Sequence, residues 1–275
     1  MKNLIFTPLL ILIVFTVSAQ SRQERNVGHF NQVKAGGSFD VFINEGNNEK
    51  VVIEADEGPI DKIITEVKGN TLHIYMEDNW WKNYRFENVN IYVTVTELEG
   101  VSGSGSGTVR VQAPVKGNDV YLTSSGSGNL ICEASVESFD DIKISDSGSG
   151  SCKIRSSVKA KDMIRISNSG SGNVYIDAVY AHESDVNNSG SGNLEVGKGN
   201  VNRQHIVMSG SGDVKMGDVE SEDCHISKSG SGTISIFVTN ELSGNSSGSG
   251  NIYYKGRAPR MNFSSSGSGK IKSMN

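Results

Sequence analysis

Apolar and polar residues alternate on both sides of a short glycine motif that recurs from residue 104 to the end of the chain. Five residues after each motif begins there is an apolar residue, such as Val109 or Leu130. Three residues before most of the motifs there is another, such as Ile144 or Ile206. Alternation with a period of two predicts two half-buried strands in each repeat. The motif, Ser-Gly-Ser-Gly, begins nine times, at Ser104, Ser125, Ser147, Ser169, Ser189, Ser209, Ser229, Ser247 and Ser266.

The regular spacing of this motif predicts a β-solenoid. Successive motifs begin 18 to 22 residues apart, which is typical of one solenoid turn. A flexible serine and glycine linker is excluded, because its flanks would not alternate between apolar and polar residues. We expect each of the nine repeats to form one rung of strand, glycine turn, strand and variable return loop. Rungs of this kind stack about 4.8 Å apart.

The glycines of the motif are predicted to be structural turn residues. Glycine accepts a positive φ, or the close approach of a second backbone, without a steric penalty. The short polar residue after each motif, such as Asn173 or Asn193, is expected to bond free backbone groups of the turn. The turn glycines are Gly105, Gly107, Gly126, Gly128, Gly148, Gly150, Gly170, Gly172, Gly190, Gly192, Gly210, Gly212, Gly230, Gly232, Gly248, Gly250, Gly267 and Gly269.

The region before the repeats is predicted to cap the solenoid. It lacks the Ser-Gly-Ser-Gly motif, yet strand patterns recur in it, and a short helical turn is expected over 60–67 after Pro59. A cap of this kind covers the open edge of a stacked sheet. We expect a flexible segment at 20–29 and a single β-solenoid domain at 30–275. That domain divides into capping strands at 30–101 and repeat rungs at 102–275. The strand patterns lie at 39–43, 51–53, 71–75 and 89–95.

The first 19 residues have the layout of a secretory signal peptide. Lys2 precedes an apolar stretch over 9–17, and small residues follow at Ser18 and Ala19. We expect cleavage after Ala19, and export to the periplasm, the cell surface or the medium. No later apolar stretch reaches the roughly 18 to 20 residues of a membrane-spanning helix. We therefore expect no transmembrane segment in the mature chain.

Charge and cysteine content exclude several classes of partner and crosslink. The chain has 26 basic and 31 acidic residues, a net charge of −5, and its basic residues are scattered singly. This composition predicts that the chain binds neither nucleic acid nor an anionic membrane. Cys132 and Cys152 occupy inward positions on adjacent rungs but are offset by two residues, which places them beyond disulfide reach. We expect free thiols.

The residues suited to catalysis or metal binding do not cluster in the sequence. The outward positions between the apolar columns are mixed in sign and type, as on a solvated surface. His205 and His225 share a column on adjacent rungs, so their rings are expected to lie about 5 Å apart. No third ligand is identified beside them, and a metal needs more than two. We therefore predict no catalytic residues, no metal site and no cofactor.

One aromatic cluster is a candidate contact surface. Trp80, Trp81, Tyr84 and Phe86 lie between two predicted strands and include both tryptophans of the chain. Exposed aromatic side chains stack on sugar rings or anchor protein partners. The alternative is that these side chains pack over the end of the core.

The motifs together resemble a known family. The segments Phe39-Asp40-Val41 and 69–74, with the nine Gly-Ser-Gly turns, are similar to the auto-transporter adhesin head domain, called the GIN domain. That family is common in exported proteins of the Bacteroidetes. The resemblance covers about 30 to 272. It implies a right-handed parallel β-helix of two sheets, an adhesive role and no catalytic residues.

These observations predict an exported, non-enzymatic structural or adhesive module of the cell-adhesion head type. Its expected partner is a protein or glycan surface whose identity the sequence leaves open. The alternative function is a carbohydrate-binding or carbohydrate-processing β-helix protein. Open solenoid ends favour self-association, so a homo-oligomer is a further expectation.

Overall fold

A computed structural model describes residues 21–76 and 86–274. The predicted signal peptide at 1–19 lies outside the described residues. Before the repeats, the strands are β1 (Ser21–Asn26), β2 (Gln32–Gly37), β3 (Asp40–Glu45), β4 (Lys50–Ala55), β5 (Ile63–Lys68), β6 (Thr71–Met76) and β7 (Asn90–Val95). In the described residues, no helix is long and apolar enough to cross a membrane.

Sixteen further strands form the repeat region, and most of them are short. In the turns of β17, β18, β19 and β20, however, a single long strand forms nearly the whole turn. The strands are β8 (Gly100–Gly105), β9 (Val109–Val111), β10 (Val115–Gly117), β11 (Val120–Gly126), β12 (Leu130–Cys132), β13 (Val136–Ser138), β14 (Asp141–Asp146), β15 (Cys152–Ala160), β16 (Met163–Asn168), β17 (Val174–Asn188), β18 (Leu194–Met208), β19 (Val214–Lys228), β20 (Ile234–Ser246), β21 (Ile252–Lys255), β22 (Arg260–Ser265) and β23 (Ile271–Ser273).

The repeats stack as a parallel β-solenoid of about eight turns, which confirms the predicted fold class. The strand segments before the glycine motifs form one ladder, which we call the leading face. Its apolar column includes Ile144, Ile166 and Val186, which pair in register from rung to rung. The segments after the motifs form the trailing face, where Leu130 pairs with Cys152. All five side chains are buried, so the two predicted apolar columns form the core.

A third ladder joins these two faces, so the solenoid has three faces where the resemblance implied two sheets. It consists of β10, β13, the end of β15 and the middle parts of β17 to β19, and we call it the return face. Its buried column includes Val115, Val136, Val158 and Val179. The return segment was predicted to be a variable loop. That prediction was wrong, because these valines bury a third apolar stripe that closes the core.

The first glycine turn comes earlier in the chain than the motif indicates. Strands β2 and β3 meet at Gly36-Gly37-Ser38-Phe39 and pair in parallel with β8 and β9, so they form the leading and trailing segments of a rung within the predicted cap. Strands β6 and β7 pair with the other edges of β2 and β3. The spatial order of these rungs therefore differs from their order in the sequence.

Antiparallel strands cover the N-terminal end of the stack. Strand β5 pairs with β6, while β4 pairs with β7 and β1 pairs with β4. Arg25 joins the two sides of this end, because it donates hydrogen bonds to the carbonyls of Ile60, at 2.8 Å, and of Ile63. These strands lie where the sequence predicts a cap. The boundaries of that cap, 30–101, stay a prediction.

Two local expectations for this region need correction. The helical turn predicted over 60–67 is only a 3₁₀ turn at Ile60–Lys62. The rest of that segment belongs to β5, because Val67 and its neighbours pair with β6 instead of forming helical bonds. The segment 20–29, predicted to be flexible, contains β1, which pairs with β4 along six residues.

Candidate binding surfaces

The motif glycines lie where successive backbones almost touch. A Cβ at Gly150 would lie 1.6 Å from the carbonyl oxygen of Gly128, and one at Gly172 would lie 1.5 Å from that of Gly150. Among the motif glycines, a positive φ occurs only at Gly105 and Gly126. Close approach between rungs is thus the main physical reason for glycine at these turns.

Buried polar side chains line the inside of the glycine turns, which the sequence analysis did not identify. They belong to one buried column on the leading face, at the last residue before seven of the nine motifs, in which only Met208 is apolar. Asn168 donates from Nδ2 to the carbonyl of Gly172 at 3.0 Å, and Asn188 repeats this bond with Gly192 at 3.1 Å. Each amide thereby satisfies a carbonyl of its own turn. The column contains Ser124, Asp146, Asn168, Asn188, Met208, Lys228 and Ser246.

Asp146 is the acidic member of this column. Its Oδ2 atom, like Asn188 Oδ1 and Ser246 Oγ, is buried without a hydrogen-bond partner. Burial raises the pKa of the Asp146 carboxyl above its ordinary value, because removal from water disfavours the charged form. Its stabilising contribution is therefore complete below the unfolded pKa, near pH 4, and is lost as the pH rises through the folded pKa.

We expect Asp146→Asn to stabilise the protein. By analogy with Asn168, the new amide would donate to the carbonyl of Gly150, and no buried charge would remain. The expected gain in unfolding free energy at neutral pH is about 1 to 3 kcal/mol. It shrinks as the pH falls through the raised folded pKa of Asp146 and is smallest below about pH 4. Urea unfolding at several pH values measures both. Asp119→Asn, an exposed position, is the control, and an equal effect there would contradict the argument.

The histidine pair has a neighbour that the sequence analysis overlooked. The rings of His205 and His225 lie 5.4 Å apart between centroids, as expected. Asp185 occupies the same column on the preceding rung, with Oδ1 3.6 Å from His205 Nδ1. The expectation that no third possible ligand lies beside the two histidines was therefore wrong. Within 21–76 and 86–274, however, no group of three or more histidine, cysteine, aspartate or glutamate side chains is placed to hold a metal ion.

The cysteines are free and buried, as predicted. Cys132 pairs with Ile154, and Cys152 pairs with Leu130, which confirms the offset of two residues between the thiols. Burial raises the pKa of Cys132 to about 12 and also raises those of Cys152 and Cys224. These thiols behave as small core side chains and not as nucleophiles, because the thiolate is the reactive form.

The predicted aromatic cluster is described only in part. Trp80, Trp81 and Tyr84 lie outside the described residues. Phe86 is half-buried and packs against the core. For this one residue, the structure favours the packing interpretation over an exposed contact.

A groove on the return face has a volume of about 960 Å³. Its floor contains Ala160 and Ala178, which leave space between larger side chains. Three lysines and Tyr180 rise around this floor. The groove spans three rungs, so no single segment of sequence reveals it. Its polar walls are formed by Lys159, Lys161, Asp177, Tyr180, His182, Lys198, Asn200 and Asn202.

Comparison with known proteins places this solenoid in a family. The model of the family described as "putative auto-transporter adhesin, head GIN domain" matches residues 29–163 and, in a second match, residues 142–258. The chain belongs to this family. The resemblance that the glycine motifs suggested is thereby confirmed. A search of curated proteins found no match to this chain.

Several solved structures have the same fold as this GIN-domain chain. A putative adhesin from Parabacteroides distasonis is 19% identical, with a TM-score of 0.65 over 93% of this chain and 98% of that one. A putative adhesin from Parabacteroides merdae is 18% identical, with a TM-score of 0.64 over 93% and 96%. A putative lipid binding protein from Parabacteroides distasonis is 24% identical, with a TM-score of 0.62 over 93% and 97%. At these identities the likeness shows the fold.

Proposed function

We propose that this GIN-domain protein is an exported, non-enzymatic adhesive module. The observation that carries the proposal is the in-register stacking of outward side chains over successive rungs. One column on the leading face runs through Glu183, Arg203, Asp223, Glu241 and Arg260. Such a column presents a charged side chain, of either sign, on each of five successive rungs along one surface. Repeated contacts of this kind raise total affinity even where each is weak.

The charges on the leading face are suited to contact with another surface. Arg203 pairs with Glu183, and Arg260 lies 3.3 Å from Glu241. The charged side chains are largely solvated, so each pair contributes little to stability. Their arrangement therefore favours recognition over support of the fold. The family description and the adhesin names of the solved structures support the same role.

Bead adhesion under flow tests this function directly. Residues 20–275 are coupled to beads, and retention is measured on bacterial cells, on a mucin layer and on a second coat of the same chain. We expect beads with folded protein to be retained several-fold better than beads with heat-unfolded protein on at least one surface. Retention on the coat of the same chain would identify self-adhesion. Equal retention of folded and unfolded chains on all three surfaces would overturn the proposal.

A further inference from the structure

The return-face groove carries three cations without partners. Lys159, Lys161 and Lys198 are exposed on its rim. Among the described residues, no carboxylate lies within ion-pair distance of these three ammonium groups, whereas Lys116 and Lys215 each have such a partner. The groove therefore offers positive charge to a ligand, because no internal partner neutralises it.

An aromatic ring and amides complete the surface between these lysines. Tyr180 stands in the column between Lys159 and Asn200 and is 38% exposed. His182 Nδ1 lies 3.2 Å from Asn202 Oδ1 in the neighbouring column. Ala178 keeps the floor beside the ring low. A flat apolar ring beside hydrogen-bonding amides is suited to a ligand that has both ring faces and hydroxyl groups.

The groove continues toward the N-terminal rungs. A second hollow shares Lys159 and Lys161 with it and ends at Phe139, which is 57% exposed. Lys116 Nζ lies 5.3 Å from the centre of that ring. From the rung of Phe139 to that of Asn202 there are three rung steps, or about 14 Å. The site is therefore long enough for an extended chain rather than a single small molecule.

We infer that this groove binds a carboxylate-bearing polysaccharide, with the sugar rings against Tyr180 and the carboxylates beside the lysines. The inference names the ligand class of the proposed adhesive function and rests on it. An extended polypeptide suits the site less well. Strand addition needs an open sheet edge, while the backbone of the return face is already paired between rungs.

The overall negative charge of the chain does not oppose this assignment. Charges separated by more than about 8 Å are largely screened at physiological ionic strength. The groove itself contains one carboxylate, Asp177, against the three lysines Lys159, Lys161 and Lys198. The ligand therefore responds mainly to this local excess of positive charge, and less to acids on other faces. For the same reason, binding should weaken as salt is added.

The test measures binding of polygalacturonate fragments to the mature chain, with neutral dextran and poly-L-glutamate as comparison probes. The groove variant is Lys159→Gln/Lys161→Gln/Lys198→Gln. The control variant, Lys34→Gln/Lys143→Gln/Lys270→Gln, removes the same charge at exposed lysines elsewhere. We expect the groove variant to bind about tenfold more weakly or worse, a change of about 1.4 kcal/mol. The control should stay within about twofold, and both should melt like the wild type, since surface substitutions change stability little.

A second pair of variants tests the aromatic contact. Tyr180→Ala should weaken polygalacturonate binding about tenfold, and Tyr180→Phe, which keeps the ring face, should restore most of it. Absence of binding by the wild type, equal loss in both lysine variants, or equal affinity for poly-L-glutamate would overturn the inference. Bead adhesion separates the two proposals. If the beads adhere but polygalacturonate does not bind, only the groove assignment fails.

Discussion

Gly150→Ala is expected to destabilise the solenoid by about 4 kcal/mol or more, at the upper end of single-residue effects. The added methyl carbon would lie 1.6 Å from the carbonyl oxygen of Gly128. That atom belongs to the backbone of the preceding rung, so it can move away only if the two rungs separate. Separation would break the ladder bonds on both sides of the turn.

Urea unfolding followed by circular dichroism measures this loss. The control is Gly217→Ala, because the nearest heavy atom to a Cβ there is 3.8 Å away. Alanine at such a position restricts the unfolded chain and should change stability by less than about 1 kcal/mol. If the two variants unfold at the same urea concentration, close approach is not the reason for glycine at the turns.

Ile166→Ala is expected to cost about 2 to 5 kcal/mol of unfolding free energy. Ile166 is fully buried in the leading face and is stacked between Ile144 and Val186. The neighbouring rungs hold these side chains in place through backbone ladders, so the wall cannot collapse into the space that alanine leaves. The part of the lost unfolding free energy that comes from the empty cavity should therefore be close to its maximum.

The same measurement on two further variants tests this explanation. Ile166→Val removes one methylene and should cost about 0.5 to 1.5 kcal/mol. Ile131→Ala makes the larger change in an outward column between Arg110 and Lys153, and should cost less than about 1 kcal/mol. A loss at Ile131 that equals the loss at Ile166 would show that burial in this column does not decide stability.

The two apolar columns beside the motif were predictable because their period of two is unbroken near the glycines. The return face was not predicted, although Val115, Val136 and Val158 recur in it. Its strands are short, and the register shifts at the corner before Ser157. A corner interrupts the alternation, so the pattern there resembles a loop. The spacing of these valines from each motif start was the available signal.

The N-terminal order could not be predicted from local pattern. Strand β2 lies between β6 and β8, although β6 follows β2 in the sequence. Such an insertion depends on pairing between distant segments, which hydrophobic periodicity does not encode. The rung turn there is Gly36-Gly37-Ser38-Phe39, which departs from the motif at several positions. Close stacking of Gly105 on Gly37 shows that it nevertheless serves the same purpose.

The candidate groove could not be predicted from the sequence for a different reason. Lys159, Tyr180 and Lys198 look like ordinary surface residues when each is considered within its own repeat. They become neighbours only through the return ladder, which the sequence analysis did not identify. Asp146 and Lys228 were not identified from the sequence either, although they have the same parity as the inward columns. A polar residue at an inward position is a signal that sequence alone provides.

The rungs formed by β17, β18 and β19 are uniform, which allows the length of the solenoid to change by whole repeats. Their motifs begin 20 residues apart, and β18 pairs with both neighbours in register on all three faces. Each such rung presents the same upper and lower surface to the next. A whole unit can therefore be inserted or deleted here without changing the fit of the others. Duplication or loss of one repeat in the gene would therefore change the length of the solenoid along its axis by about 4.8 Å.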